Sequence, residues 1–312
     1  MHRRAFLQTL AATPALSLAA AEPELRIAVN QTTIESAPLL VQPIPGVQIV
    51  LVPNGRAASA QLVAGIVDAA TGSETQALLN SIAQPGLRIV LTLAECRYRI
   101  VARRSAAIRQ LSDLGGKRVA VTANTSSHYF LAEMLATARL KEPDVTLVHL
   151  EGHDMPTAIS KHEIDAIAMW EPHAQNAINT LGSDALVLET PNDAQAYRER
   201  FNLNTTLAVL NNPTKCRQLV ALMKAITPLS AQLQTSPQTH LPALSKAIAT
   251  PAAVITQAWP QFRFPATLDQ RPLLALLEKI EPWGATIASR EPRPKPALAP
   301  LIDASVLAEG KK

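Results

Sequence analysis

Apolar residues along the chain fall into two alternating patterns. Short β-branched runs mark strands, and longer stretches at three- and four-residue spacing mark helices. In the first hundred residues the strands are 25–29, 47–52, 67–71, 87–93 and 98–102. Between them, 57–64 and 74–82 read as helices. Residues 38–41 form a short helix at most, because Pro43 and Pro45 interrupt the run.

The most regular stretch is 108–173. A strand at 117–121 follows the Gly115-Gly116 turn. The polar run Asn124-Thr125-Ser126-Ser127 then precedes Tyr129, Phe130, Leu131, Met134 and Leu135 at helical spacing, up to Leu140. A strand at 145–150, a short helix at 155–161 and a strand at 164–169 complete a βαβαβ pattern, which predicts an open parallel sheet. Such sheets bind ligands beyond the carboxyl ends of their strands. Two polar tips lie there, Asn124–Ser127 and Trp170–His173. Beyond them, 186–189 reads as a strand, 193–200 as a helix and 205–210 as a returning strand. Helices then follow at 213–234, 239–249, 251–258 and 268–280. Pro292, Pro294, Pro296 and Pro300 make 290–300 an extended strap.

Length and composition fit this picture. The 312 residues suit about two domains, and an apolar fraction of 47% with 17% charged residues supplies ample core. The net charge is +4, of which Arg3 and Arg4 contribute two, and no basic face of the kind nucleic acid requires is visible. Residues 1–21 read as a targeting segment. His2-Arg3-Arg4-Ala5-Phe6-Leu7-Gln8 is similar to a twin-arginine motif, Leu10–Leu18 is a mild apolar run, and Ala19-Ala20-Ala21 suits cleavage near Ala21. The run is too short to span a bilayer. Cys96 and Cys216 read as two free buried thiols, although an exported chain is able to pair them.

Several residue groups are candidates for chemistry. Thr125, Ser126 and Ser127 either hold an anionic head group with hydroxyls and helix-start N–H groups, or simply cap the helix. Trp170 either stacks on a ligand or plugs the core. Glu171 either meets an amine or hydroxyl on a ligand, or opens a helix. His149-Leu150-Glu151-Gly152-His153-Asp154 places two histidines four apart, but its β-branched lead and Gly152 argue against the helix a zinc site would need. His162 and His173 read as surface residues. There is no Gly-x-Ser-x-Gly elbow, and Gly115-Gly116-Lys117 does not match a phosphate loop.

Taken together, Asp113-Leu114-Gly115-Gly116-Lys117, Thr125-Ser126-Ser127-His128, Asp165-Ala166 and Trp170-Glu171-Pro172-His173 resemble the second lobe of a known family. These are the periplasmic solute-binding proteins of the nitrate/sulfonate/taurine type, with the related thiamine-precursor binders. The resemblance implies an α/β protein of the type II periplasmic-binding-protein fold, with two lobes joined by two hinge strands. Lobe 1 would comprise 22–104 and 208–312, lobe 2 would comprise 105–207, and the hinges would lie at 103–108 and 204–210. In that topology Asn30, Gln31, Thr32, Arg56 and Ser73 end strands facing the cleft; Arg56 carries the full charge an anion needs, or is a solvated surface arginine. The implied role is the substrate-binding component of an ABC importer, with no catalysis, cofactor or metal. Its ligand would be a small solute, anionic in the manner of nitrate, sulfonates or taurine. Its partners would be the permease and ATPase of the transporter, and the protein itself a periplasmic monomer without membrane insertion. The alternatives are a periplasmic enzyme, with or without a metal, and a binding partner for a membrane sensor. The cysteine-rich motif of pyrimidine-synthesising relatives is absent from the sequence, so that activity is not expected.

Overall fold

The computed structural model describes residues 24–188 and 197–310. The targeting segment expected at 1–21 lies outside the described residues, as does the first half of the helix expected at 193–200.

The chain opens with β1 (Leu25–Asn30), α1 (Ala37–Leu40), β2 (Val47–Val52), α2 (Gly55–Val63), β3 (Ala69–Ser73), α3 (Glu74–Asn80) and β4 (Leu87–Arg97). It continues through β5 (Arg99–Arg103), β6 (Arg118–Val121), α4 (Ser126–Thr137), β7 (Thr146–His149), α5 (Met155–Ser160), β8 (Ala166–Met169), α6 (His173–Leu181) and β9 (Ala185–Leu188). After β10 (Arg198–Thr206) come α7 (Leu207–Leu210), α8 (Pro213–Thr235), α9 (Leu241–Ala247), α10 (Ala252–Ala258), β11 (Phe262–Arg263), α11 (Gln270–Ile287), α12 (Lys295–Leu298) and α13 (Ser305–Gly310).

The strands form two sheets. The first has the order β11-β4-β10-β3-β1-β2 and the second β7-β6-β8-β5-β9. In the first, β1 runs parallel to β2 and β3, while β10 is antiparallel to β3 and β4. In the second, β6 runs parallel to β7 and β8, and β5 is antiparallel to β8 and β9. Ile27, Val29, Leu91, Val119 and Val121 are wholly buried, as near-continuous apolar strands covered on both faces should be. This is the two-lobed α/β arrangement of the type II fold.

The chain passes from the first sheet to the second and back. β5 belongs to the second sheet and β10 to the first, so the crossings fall at Tyr98 and between Leu188 and Arg198. Residues 103–108 and 204–210 each stay with one sheet. Residues 198–200 are strand rather than helix, because Tyr197, Glu199, Phe201 and Leu203 turn inward at alternate positions. Residues 207–210 are a helical turn, capped by Thr206 Oγ1 at 3.4 Å from the N–H of Val209. The proline strap is likewise not wholly extended: α12 lies within it, and Arg290 and Arg293 pin its start to Glu281 of α11.

The Asp165-Ala166 and Asp113–Lys117 segments hold the second sheet together. The Asp165 carboxylate accepts from Arg103 Nη2 at 2.7 Å, Arg118 Nη2 at 2.8 Å and the Arg118 N–H at 2.9 Å, clamping the starts of β6 and β8. Asp113 Oδ2 accepts the N–H groups of Arg109 and Gln110, and Gly116 turns at φ +71° so that its N–H reaches Asp144 O. His173 is buried rather than at the surface, and burial pushes its imidazole down to about 4. Its ring lies against Gly152, where an added Cβ would come within 2.6 Å. His162 is exposed. Cys96 and Cys216 are free thiols, Cys96 buried and Cys216 half-buried.

Candidate ligand-binding site

The carboxyl ends of β1, β3, β6 and β8 face a cavity of about 490 Å³, counting its open mouth. Three helices begin at its edge, and each start is capped by a side chain. Asn54 Oδ1 accepts the N–H of Ala57 in α2, Ser73 Oγ that of Gln76 in α3, and Thr125 Oγ1 that of Ser127 in α4. Asn124 takes φ +56° just before the α4 cap, a conformation asparagine tolerates well. Hydrogen bonds cross the cavity from one sheet's unit to the other. Gln76 Nε2 donates to Asn124 O at 2.8 Å, and Arg56 Nη2 to Ala123 O at 3.4 Å. The exposed Arg56 head also lies 3.8 Å from Glu151 Oε1.

The floor has a different character. The ring of Tyr98 lies with its centroid 5.6 Å from Phe130, 6.0 Å from Trp170 and 5.3 Å from Tyr197. Its hydroxyl is 2.8 Å from Ser126 Oγ, which in turn lies 3.2 Å from Glu199 Oε1. With one hydrogen on each hydroxyl, the chain runs Tyr98 to Ser126 to the Glu199 carboxyl. Glu35, in the 3-10 turn Ile34–Ser36, is only 1% exposed, and neither carboxyl oxygen has a hydrogen-bond partner among the described residues. Burial pushes Glu35 up to about 8, and burial together with the Glu35 charge pushes Glu199 well above the ordinary carboxylate range. Phe201 and the Trp170 ring complete the floor, and Trp170 Nε1 is buried without an acceptor among the described residues.

Of the residues singled out from sequence, Asn30, Arg56, Ser73, Thr125, Ser126 and Trp170 line this cavity. Gln31, Thr32, Ser127 and Glu171 are not among its lining residues. Thr32 turns back, its Oγ1 2.9 Å from Asn30 Oδ1. Ser127 is spent on the backbone, donating to Ala168 O at 2.7 Å and accepting from the Thr122 N–H at 3.1 Å. Glu171 is wholly buried, where it accepts from Arg99 Nε at 2.6 Å and the Gln175 N–H at 2.9 Å. It joins β5 to α6. Among the described residues, no group of three or more His, Cys, Asp or Glu is arranged to hold a metal ion.

Sequence reasoning missed Glu35, Gln76, Tyr98, Glu199 and Phe201. For the last three a signal existed in the inward alternation at 197–203 and in Tyr98 heading the strand expected at 98–102. Glu35 and Gln76 carried none, since each reads as an ordinary polar residue at a helix start.

Comparison with known proteins agrees with this architecture. A curated protein of Escherichia coli (strain K12), whose name assigns it to aliphatic sulfonate binding, is 32% identical over 79 residues. That alignment spans only 25% of this chain and 25% of the relative. The alkanesulfonate-binding protein SsuA from Xanthomonas axonopodis pv. citri, solved with bound MOPS, superposes with a TM-score of 0.74 at 20% identity, over 91% of this chain and 99% of that one. The desulfurization enzyme DSZB superposes with a TM-score of 0.67 at 15% identity, over 92% and 98% of the two chains. At these identities the superpositions show the fold, which therefore carries both a binding protein and an enzyme. The family described as NMT1/THI5 like matches residues 46–228, more than half of the sequence. The chain therefore belongs to the NMT1/THI5-like family.

Proposed function

We propose that this protein is the substrate-binding component of an ABC importer. It captures a small solute between two lobes, closes on it by hinge motion and presents the closed form to a membrane permease driven by an ATPase. The observation that carries this reading is the cavity itself. Its walls come from both sheets' units, and Gln76 and Arg56 of the first hydrogen-bond to backbone carbonyls of the second across it. Asn30, Arg56, Ser73, Thr125, Ser126 and Trp170 are its proposed ligand contacts. Arg56 and the capped start of α4 suit a polar or anionic end of the ligand at the mouth. The lobes pivot about Tyr98, where the chain leaves the first sheet for the second. Cys96 supports binding over thiol chemistry, since burial pushes its thiol well up and so disfavours the nucleophilic thiolate. Among the described residues no helix is long and apolar enough to cross a membrane. Export to the periplasm as a monomer, by the twin-arginine segment at 2–8, belongs to the same reading.

The test is a thermal-shift panel of nitrate, alkanesulfonates, thiamine precursors and aromatic acids, followed by calorimetry and small-angle scattering. A ligand at a hundred times its Kd adds about 2.7 kcal/mol of stability, a shift of several degrees. The expected result is such a shift with a smaller radius of gyration for the complex. A ligand that binds while the shape stays that of the free protein would refute the closing mechanism.

A further inference from the structure

Glu35 and Glu199 are acids at the bottom of a cavity whose only lining arginine among the described residues, Arg56, lies at the mouth. A carboxyl with two unpartnered oxygens and almost no exposure is costly to keep unless something arrives to use it. Arg99 and Arg200, the nearby cations of the two sheets, are committed elsewhere. Arg99 is bound to Glu171, and Arg200 is 3.3 Å from Glu95. Resting on the carrier reading above, we propose that the floor takes a nitrogen donor group of the ligand, an ammonium or amidinium, against Glu35 and Glu199, and that the incoming positive charge displaces one proton from this pair to solvent. The balance is simple: in the free site one of the two carboxyls keeps its proton, the cation takes that proton's place, and the proton leaves to water with no bond otherwise made or broken.

The surroundings favour this exchange. The rings of Tyr98, Trp170 and Phe201 line the same floor, and aromatic rings attract a cation. Groups that act on Glu35 are Cys96 of β4, Glu171 after β8 and Glu199 of β10. Glu74 of α3 acts on Glu199 in turn, and is itself engaged by the Tyr197 hydroxyl and the Arg200 N–H. Apart from Arg99, held by Glu171, and Arg200, beside Glu95, the groups that act on this pair are acids or neutral.

The experiment uses matched probes that differ in the donor alone: 3-aminopropane-1-sulfonate against propane-1-sulfonate, and benzamidine against benzamide. Calorimetry on the full chain at pH 6 and pH 8, in two buffers of different ionisation enthalpy, reads both affinity and proton release. The donor member of a pair should bind about tenfold tighter or better, release close to one proton at neutral pH, and gain affinity as pH rises. Glu35→Gln and Glu199→Gln, each checked by a melting curve, should each shrink that preference and the proton release. Tighter binding of propane-1-sulfonate than of its amine overturns the donor site while leaving the carrier reading intact. Binding of the amine without proton release overturns the exchange. If no member of either pair binds, both the donor site and the sulfonate-type mouth are wrong.

Discussion

Glu171→Ala separates a ligand contact from a structural strut. The glutamate stands in the Trp170–His173 segment that sequence places at the cleft, yet its side chain is fully buried and bound to Arg99. Removing the carboxylate leaves Arg99, 14% exposed, without its counter-charge, and leaves the Gln175 N–H in the first turn of α6 without an acceptor. Breaking a buried pair by deleting one partner costs about 3–5 kcal/mol. Arg99 keeps Gln175 Oε1 at 3.0 Å, which holds the cost to the lower half of that range. In a protein of this size that is a fall in Tm of roughly 5–15 °C. The paired replacement Arg99→Met with Glu171→Met should recover most of the loss, because apolar groups of similar volume often substitute for a buried ion pair at little net cost. Urea unfolding of the single and double variants, with calorimetric titration of any ligand found in the panel, gives the answer. The reasoning fails if Glu171→Ala keeps the parental midpoint but loses affinity, since that is the signature of a ligand contact.

Two further outcomes follow from the second sheet. The Asp165 carboxylate, held at about 2 chiefly by the Arg118 hydrogen bonds, lies below its unfolded value of 3.8, so its stabilising contribution is present above that value and is lost as pH falls from about 5 toward 2. Acid unfolding of Asp165→Asn should therefore show a shallower pH dependence over that window, and an unchanged slope would refute the assignment. At Gly152, an alanine Cβ would sit 2.4 Å from Met169 Cε and 2.6 Å from the His173 ring. Gly152→Ala should cost about 1–3 kcal/mol in denaturant unfolding, and a neutral result would mean these side chains yield freely.

How much of this was legible in the sequence depended on whether function and pattern agreed. Where they agreed the reading was close. β1, β2, β6 and β8 carry uninterrupted apolar runs, and α4 combines a Thr125 cap with helical spacing. Where a polar residue faces inward, the pattern broke. Glu199 sits at an inward position of β10, and with Arg198 and Arg200 beside it the segment reads as a charged helix. The residue that gives the floor its acidity thus hid the strand that holds it. Glu35 was hidden for a related reason: in a three-residue turn no period exists to mark which side chain points in. Ser127 and Glu171 show the converse, since a motif reports that residues are near a site but not which way they face.

The ladder between β4 and β10 also has a bearing on how the chain folds. Arg97 and Arg198 are partners on one rung, although they lie about 100 positions apart along the sequence. Everything that builds the second sheet leaves the first at Tyr98 and returns to it beside the same rung. Closing a loop of that length is entropically expensive while the intervening chain is loose. If the second sheet forms first, it brings both ends of the loop together and shortens the search to a few residues. During synthesis β1 to β4 emerge early but lack the strand that belongs between β3 and β4. They must wait with that edge open until the inserted unit has been made, and the speed with which 99–188 folds sets how long this exposed, aggregation-prone edge persists.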